Sequence, residues 1–152
     1  MLLLNGMNKS TRLSIFLLRI SLGFLFFYAG ITKIMDPNWS AAGYLRGAKT
    51  FPGLYQWFAS DANIVWINLV NEWGLALIGL AMIIGLFVRW ASLGGILFMV
   101  LYYLPILTFP YIAPHSYIVE EHVIYALVFL LLFATNAGKF WGADGIFRKH
   151  SK

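Results

Sequence analysis

The 152-residue chain is 61% hydrophobic, only 11% Asp, Glu, Lys and Arg, and has a mean hydropathy of +0.76, which places it with membrane proteins rather than soluble domains. Its formal charge of +5 gathers around the ends of apolar tracts, a topology signal that argues against a nucleic-acid partner. The absence of cysteine excludes disulfide exchange, thiol catalysis, thiolate metal ligation and thioether haem attachment within this chain.

Four apolar tracts, residues 13–35, 64–88, 90–109 and 118–137, each approach the roughly 20 residues needed to cross a ~30 Å hydrocarbon core. They predict an all-α fold, a polytopic integral membrane four-helix bundle with an interfacial first loop; alternating short tracts of the β-barrel kind are missing. Residues 1–12 read as a cytoplasmic N-terminal segment, 13–138 as the transmembrane domain and 139–152 as a basic cytoplasmic tail. The first tract is too long for an export-signal core and lacks a small-residue cleavage site, so it is expected to be retained as a crossing. Its helix should start near Leu13, capped by Ser10 or Thr11, and stop at Asp36-Pro37, where proline cannot donate the helical hydrogen bond.

The first connection, 37–63, is rich in aromatic residues, among them Trp39, Tyr44, Tyr55 and Trp57, and suits the headgroup boundary. Short interfacial helices are expected over 39–46 and 53–59, forming an anchoring lid in preference to a substrate entrance. A second helix over 64–87 and a third from 90 are joined through Arg89-Trp90 and must be antiparallel neighbours. Pro105 and Pro110 bend or end the third. A fourth starts near Tyr117 and stops at Asn136-Ala137-Gly138, with Trp141 at the boundary. An even number of crossings places Lys9, Arg12, Arg89, Lys139, Arg148, Lys149 and Lys152 on one side, which favours cytoplasmic termini; Arg46 and Lys49 oppose that orientation.

Ionisable residues inside these tracts are costly in hydrocarbon and must find partners, water or a neutral state. Arg19, Gly23, Phe26, Gly30 and Lys33 share one face of the first helix, but Arg19 and Lys33 lie ~21 Å apart along the axis and cannot serve one small centre. Glu72 is the leading internal acid, with Asn68 and Asn71 one turn away or adjacent. Glu120, Glu121 and His122 sweep through about 200 degrees, so Glu121, which shares a face with Tyr125, is chosen as the inward acid and His122 as its neighbour. The candidate catalytic residues are therefore Glu72, Glu121 and His122, and the candidate ligand-binding set is Lys33, Glu72, Glu121, His122 and Tyr125. Lys33 would neutralise an anionic group and His122 would move a proton near neutral pH. Arg19, Asn68, Asn71 and Asp144 form a second polar or structural group. A salt-bridged bundle core meets the same electrostatic demand without turnover. No dedicated metal centre is expected, because adjacent Glu121-His122 lacks the one-turn spacing of metal-binding bundles, although His115 is near in sequence. Phosphate-loop, dinucleotide, three-histidine and serine-elbow motifs are all missing from the sequence.

The run Leu18-Arg19-Ile20-Ser21-Leu22-Gly23, the run Ala29-Gly30-Ile31-Thr32-Lys33-Ile34-Met35-Asp36-Pro37, Glu72, Glu121 and the segment Asn136 to Gly145 together resemble the DoxX family of small four-helix membrane proteins. The resemblance covers roughly residues 13–145 and matches Arg19, Lys33, Glu72 and Glu121 to recurring polar positions and Asp144 to the acidic part of the terminal motif. It implies a subunit of a quinone-linked redox complex, an oxidoreductase subunit acting on thiosulfate or another reduced sulfur compound with a soluble or membrane partner. It further implies a quinone as the cofactor, membrane lipid as surroundings and the cytoplasmic membrane of a prokaryote as location. A non-catalytic membrane adaptor or assembly protein, a small-molecule or anion transporter, and a homo-oligomer are the alternatives.

Overall fold

The computed structural model describes residues 7–112 and 116–147, so the expectations placed on residues 1–6, His115, Arg148, Lys149 and Lys152 lie outside the described residues. The structure is helical, with α1 (Lys9–Met35), α2 (Ala42–Arg46), α3 (Pro52–Phe58), α4 (Ile64–Ile84), α5 (Val88–Ile106), α6 (Glu121–Ala134) and α7 (Ala143–Phe147), and a 3-10 turn at Ala137–Lys139. The expected all-α membrane bundle is what the structure shows. α1, α4 and α5 have 27, 21 and 19 residues and are long and apolar enough to cross a membrane.

Helix ends follow local chemistry. α1 starts four residues earlier than the hydropathy suggests because Asn8, not Ser10 or Thr11, caps it: its Oδ1 accepts from Thr11 N at 2.8 Å. It ends at Asp36, which is extended before Pro37. α4 ends at Gly85, whose φ of 75° is the left-handed geometry that glycine adopts without strain. α6 differs most from its tract of 118–137. At 14 residues it is ~21 Å long, short of a ~30 Å hydrocarbon core. Its start is fixed by Glu120, whose side chain accepts from His122 N at 2.9 Å, while Ile118 lies outside the helix and accepts from Tyr103 Oη at 2.7 Å. At its other end Thr135 Oγ1 donates back to Leu131 O and Asn136 turns left-handed.

The α1/α4 pair is the closest in the molecule. A Cβ on Gly79 would come within 2.2 Å of Phe27 N, and one on Gly30 within 2.4 Å of Ala76 N, so backbone meets backbone there. α5 packs on α6, with Gly95 against the Phe129 ring and Phe26 edge-on to Phe129 at 4.9 Å. Leu22, Leu75, Ile78, Met82, Val88, Met99 and Leu132 fill the rest of the core. α1 and α6 meet only sparsely, which leaves a seam on that side of the bundle.

α2 and α3 build a small apolar core of their own from Ala41, Leu45, Tyr55 and Ala59 and sit against the start of α4 and the end of α5. Pro105 explains how they are held. Proline has no N–H to donate to the carbonyl four residues earlier, that of Leu101. Tyr55 Oη donates to this carbonyl at 3.0 Å, and Tyr44 Oη donates to the next one, Tyr102 O. Lys49 N donates to Pro105 O at 2.8 Å and Thr50 Oγ1 to Leu107 O at 2.7 Å. The lid thus satisfies the Leu101 carbonyl that the proline leaves without a helical partner, together with carbonyls at the end of α5.

Candidate functional site

Two polar centres sit at opposite ends of α1. The first surrounds Arg19, which is fully buried. Its Nη1 donates to Ala137 O at 2.8 Å and Phe140 O at 3.1 Å, its Nη2 to Trp141 O at 3.3 Å, and its guanidinium lies 5.2 Å from the Phe16 ring centre. Asp144 supplies opposite charge nearby. The Asp144 carboxylate caps the start of α5, accepting from Phe87 N at 2.9 Å and Val88 N at 3.2 Å, and its own N–H donates to Gly85 O. Gly138 and Gly142 let the chain pass this close: a Cβ on the first would lie 2.2 Å from Asp144 Oδ2 and on the second 2.6 Å from Arg19 Nη1. Arg19 and Asp144 therefore fasten the residues after α6 to α1 and to the α4/α5 turn.

The second centre lies under the lid. Lys33 Nζ donates to Asn71 Oδ1 at 3.0 Å and stands over the rings of Trp39 and Tyr102, 4.8 and 5.6 Å from their centres. Asn71 continues the buried face Leu75, Ile78 and Met82 of α4, each one helical turn on. Glu72 points about 100 degrees away; it attracts Lys33 electrostatically but lines neither of the two clefts at this centre. Asn68 serves the lid, accepting from Ala41 N at 3.0 Å and donating to Ser40 Oγ at 3.2 Å.

His122 enters from α6. Its Nδ1 donates to Glu120 Oε1 at 2.6 Å, and its ring is edge-on to Tyr102 at 5.9 Å. The acid that pairs with His122 is thus Glu120, half-buried at the helix cap, whereas Glu121 is exposed. Helical-face reasoning assigns Glu121 to the interior; it does not apply to Glu120, which lies before the helix in extended backbone. Glu120, Glu121 and His122 hold candidate ligand atoms within 4.8 Å of one another.

Lys33, Tyr102 and His122 stand between two clefts. The outer one, about 320 Å³, lies beneath the lid and is walled by Trp39, Ser40, Tyr44, Asn71 and Ile106. The inner one, about 230 Å³, lies at the α1/α6 seam among Leu25, Phe26, Ala29, Met99, Glu121 and Tyr125. The Tyr102 hydroxyl is buried beside Asn71 yet makes no hydrogen bond of good geometry. Of the sequence candidates, Lys33, Glu121, His122 and Tyr125 come together here and Glu72 stays behind them. The lid residues Trp39 and Tyr44 and the core-facing Tyr102 and Asn71 complete the walls. Asn71 was accessible from its helical step; the lid contribution was not, since it depends on where Pro105 opens α5.

Apolar helices of spanning length, aromatic residues near their ends and few charges within them, Arg19 fully buried, define an integral membrane helical-bundle protein. A family profile described as DoxX matches residues 14–108, and the chain belongs to the DoxX family. The match spans α1 to α5 and carries Arg19, Lys33, Glu72 and Tyr102; Glu121, His122 and Asp144 lie beyond it. No curated protein and no solved structure matched the chain.

Proposed function

We propose that this DoxX-family protein is the quinone-binding membrane subunit of a redox assembly whose partner oxidises thiosulfate or a related reduced sulfur compound. The observation that supports this reading most is the buried Tyr102 hydroxyl, beside Asn71 but without a hydrogen bond of good geometry, set between Lys33 and His122 where two apolar clefts meet. Such a group is costly unless something accepts from it, and a quinone carbonyl is a fitting acceptor. The α1/α6 seam, lined by Leu25, Phe26 and Ala29, would pass an isoprenoid tail to the bilayer.

A bound quinone supplies a two-electron, two-proton acceptor. Lys33 holds positive charge beside the carbonyl, and Trp39 and Tyr102 sandwich the ammonium and exclude water. Glu120 occupies His122 Nδ1, so Nε2 is the ring nitrogen that exchanges a proton with the ligand. Glu121, exposed and lining the inner cleft, would relay protons from water toward that nitrogen as the quinone takes up electrons. Glu72 reinforces the charge on Lys33 from behind. Electrons come from the partner, since a chain without cysteine has no thiolate for an iron–sulfur centre.

Titration of the purified protein in nanodiscs with a short-tailed quinone tests the site. Saturable binding is expected, weakened about tenfold by Lys33→Met and by Tyr102→Phe, the loss of roughly one good hydrogen bond each. Binding indifferent to both substitutions in folded protein rules the site out. Turnover of thiosulfate against quinone by the intact membrane complex, with isolated-subunit controls, then tests the partner.

A further inference from the structure

At the other end of the bundle, next to the Arg19 clasp, a third cleft of about 360 Å³ is lined by Phe87, Arg89, Trp90, Asn136, Lys139 and Asp144. Its surface is mainly polar, in contrast to the two clefts under the lid. Asp144 contributes a carboxylate, but both of its oxygens accept backbone hydrogen bonds from Phe87 and Val88 and its charge is offset by Arg19 behind it. The ionisable groups that face the opening are then dominated by Arg89 and Lys139. The Arg89 guanidinium stands over the Phe133 ring, 4.6 Å from its carbon to the ring centre, which holds it at the cleft.

The surroundings identify the depth of this cleft. Phe87, Trp90 and Trp141 are all strongly exposed around it, on the same end where α4 stops and α5 starts. Exposed tryptophans at helix ends mark the level of lipid headgroups. A polar, cationic hollow at that level, bounded by an Arg fork and a Lys ammonium, is complementary to a phosphodiester whose acyl chains run down the apolar faces of α5 and α6. Leu93 and Leu97 on α5 and Leu127, Leu130 and Leu131 on α6 are exposed and provide those faces.

We propose that Arg89, Lys139 and Asn136 form a binding site for the phosphate headgroup of an anionic glycerophospholipid. The site is independent of the quinone reading. Arg89 grips the phosphate oxygens through its fork, Lys139 adds charge, Asn136 donates from its amide, and Trp90 covers the glycerol region.

The test is native mass spectrometry of delipidated full-length protein titrated with phosphatidylglycerol or phosphatidylcholine. The wild type is expected to retain phosphatidylglycerol about tenfold more strongly, in line with the attraction of two basic residues at a membrane surface. Arg89→Gln with Lys139→Gln should bring the two lipids to parity, with helix content by circular dichroism unchanged. The charge-keeping pair Arg89→Lys and Lys139→Arg should preserve most of the preference, and Arg46→Gln with Lys49→Gln on the lid should leave it intact. Equal retention of both lipids by the wild type, or a preference that survives the Gln pair, overturns the proposal. Saturable binding of inorganic phosphate without lipid selectivity also overturns it, by assigning the cleft to free phosphate.

Discussion

Arg19 illustrates how one side chain can organise two distant parts of a chain. Its guanidinium is buried because three carbonyls of the Ala137 to Trp141 segment accept from it, and those carbonyls are turned inward because a guanidinium is there. Arg19→Met should therefore cost about 3 kcal/mol, since the carbonyls lose a charged donor and are left buried. Limited proteolysis within residues 137–147 should accelerate by about two orders of magnitude, the same free energy read as a local opening constant. Arg19→Lys should recover little, because one ammonium cannot span three acceptors arranged for a planar fork. Wild-type protection in Arg19→Met would show that the segment is held by its other contacts. The sequence announces Arg19 and Lys33 through the cost of charge in hydrocarbon, and their shared face through a step of three or four residues. It does not reveal that Asn71 rather than Glu72 meets Lys33, because that depends on how α4 is rotated by the Gly30/Ala76 and Gly79/Phe27 backbone contacts.

At the level of elements, the lid and α5 complete each other. Tyr55 donates to the Leu101 carbonyl that Pro105 cannot serve, so the two residues should be energetically coupled. Tyr55→Phe alone is expected to lose about 1–3 kcal/mol by leaving a buried carbonyl unsatisfied. In a Pro105→Ala background the helix regains its own donor, and the same Tyr55 change should cost about 1 kcal/mol less; a strictly additive double-mutant cycle by chemical denaturation would refute the coupling. The lid also has a pH limit. Burial, helped by Tyr55 and Glu120, pushes the Tyr44 phenol up to about 12, and burial raises Tyr55 as well. A raised phenol stabilises the docked lid below the unfolded value of ~10, and that contribution disappears as pH rises through about 12, because a phenolate cannot donate to the Tyr102 carbonyl. Hydrogen exchange of residues 42–58 should therefore climb, beyond its intrinsic base-catalysed increase, across that window in the wild type and flatten in Tyr44→Phe. Element positions were legible wherever hydropathy and proline coincide, as at Asp36-Pro37. They were not where a side chain sets the boundary, as Glu120 does in shortening α6.

For the whole molecule, unequal helix lengths matter. α6 offers ~21 Å beside an α1 of 27 residues, so the surrounding bilayer must thin, or headgroups and water must dip toward Glu121 and His122. Thermal midpoints in vesicles are expected to fall as acyl chains lengthen, by fractions of a kcal/mol per Å of mismatch; a midpoint that rises steadily with thickness would contradict the short fourth helix. Time adds another constraint. The carbonyl that accepts from Arg19 lies 118 residues further along the chain. At a synthesis rate of ~5–20 residues per second, α1 waits on the order of ten seconds before its clasp exists. During that interval the guanidinium must keep water or lipid phosphates around it, although α1 can already pair with α4 through the Gly30/Ala76 and Gly79/Phe27 contacts. The segment that clasps α1 is thus made 118 residues after the side chain it receives, and the bundle is locked only once the residues beyond α6 have been synthesised.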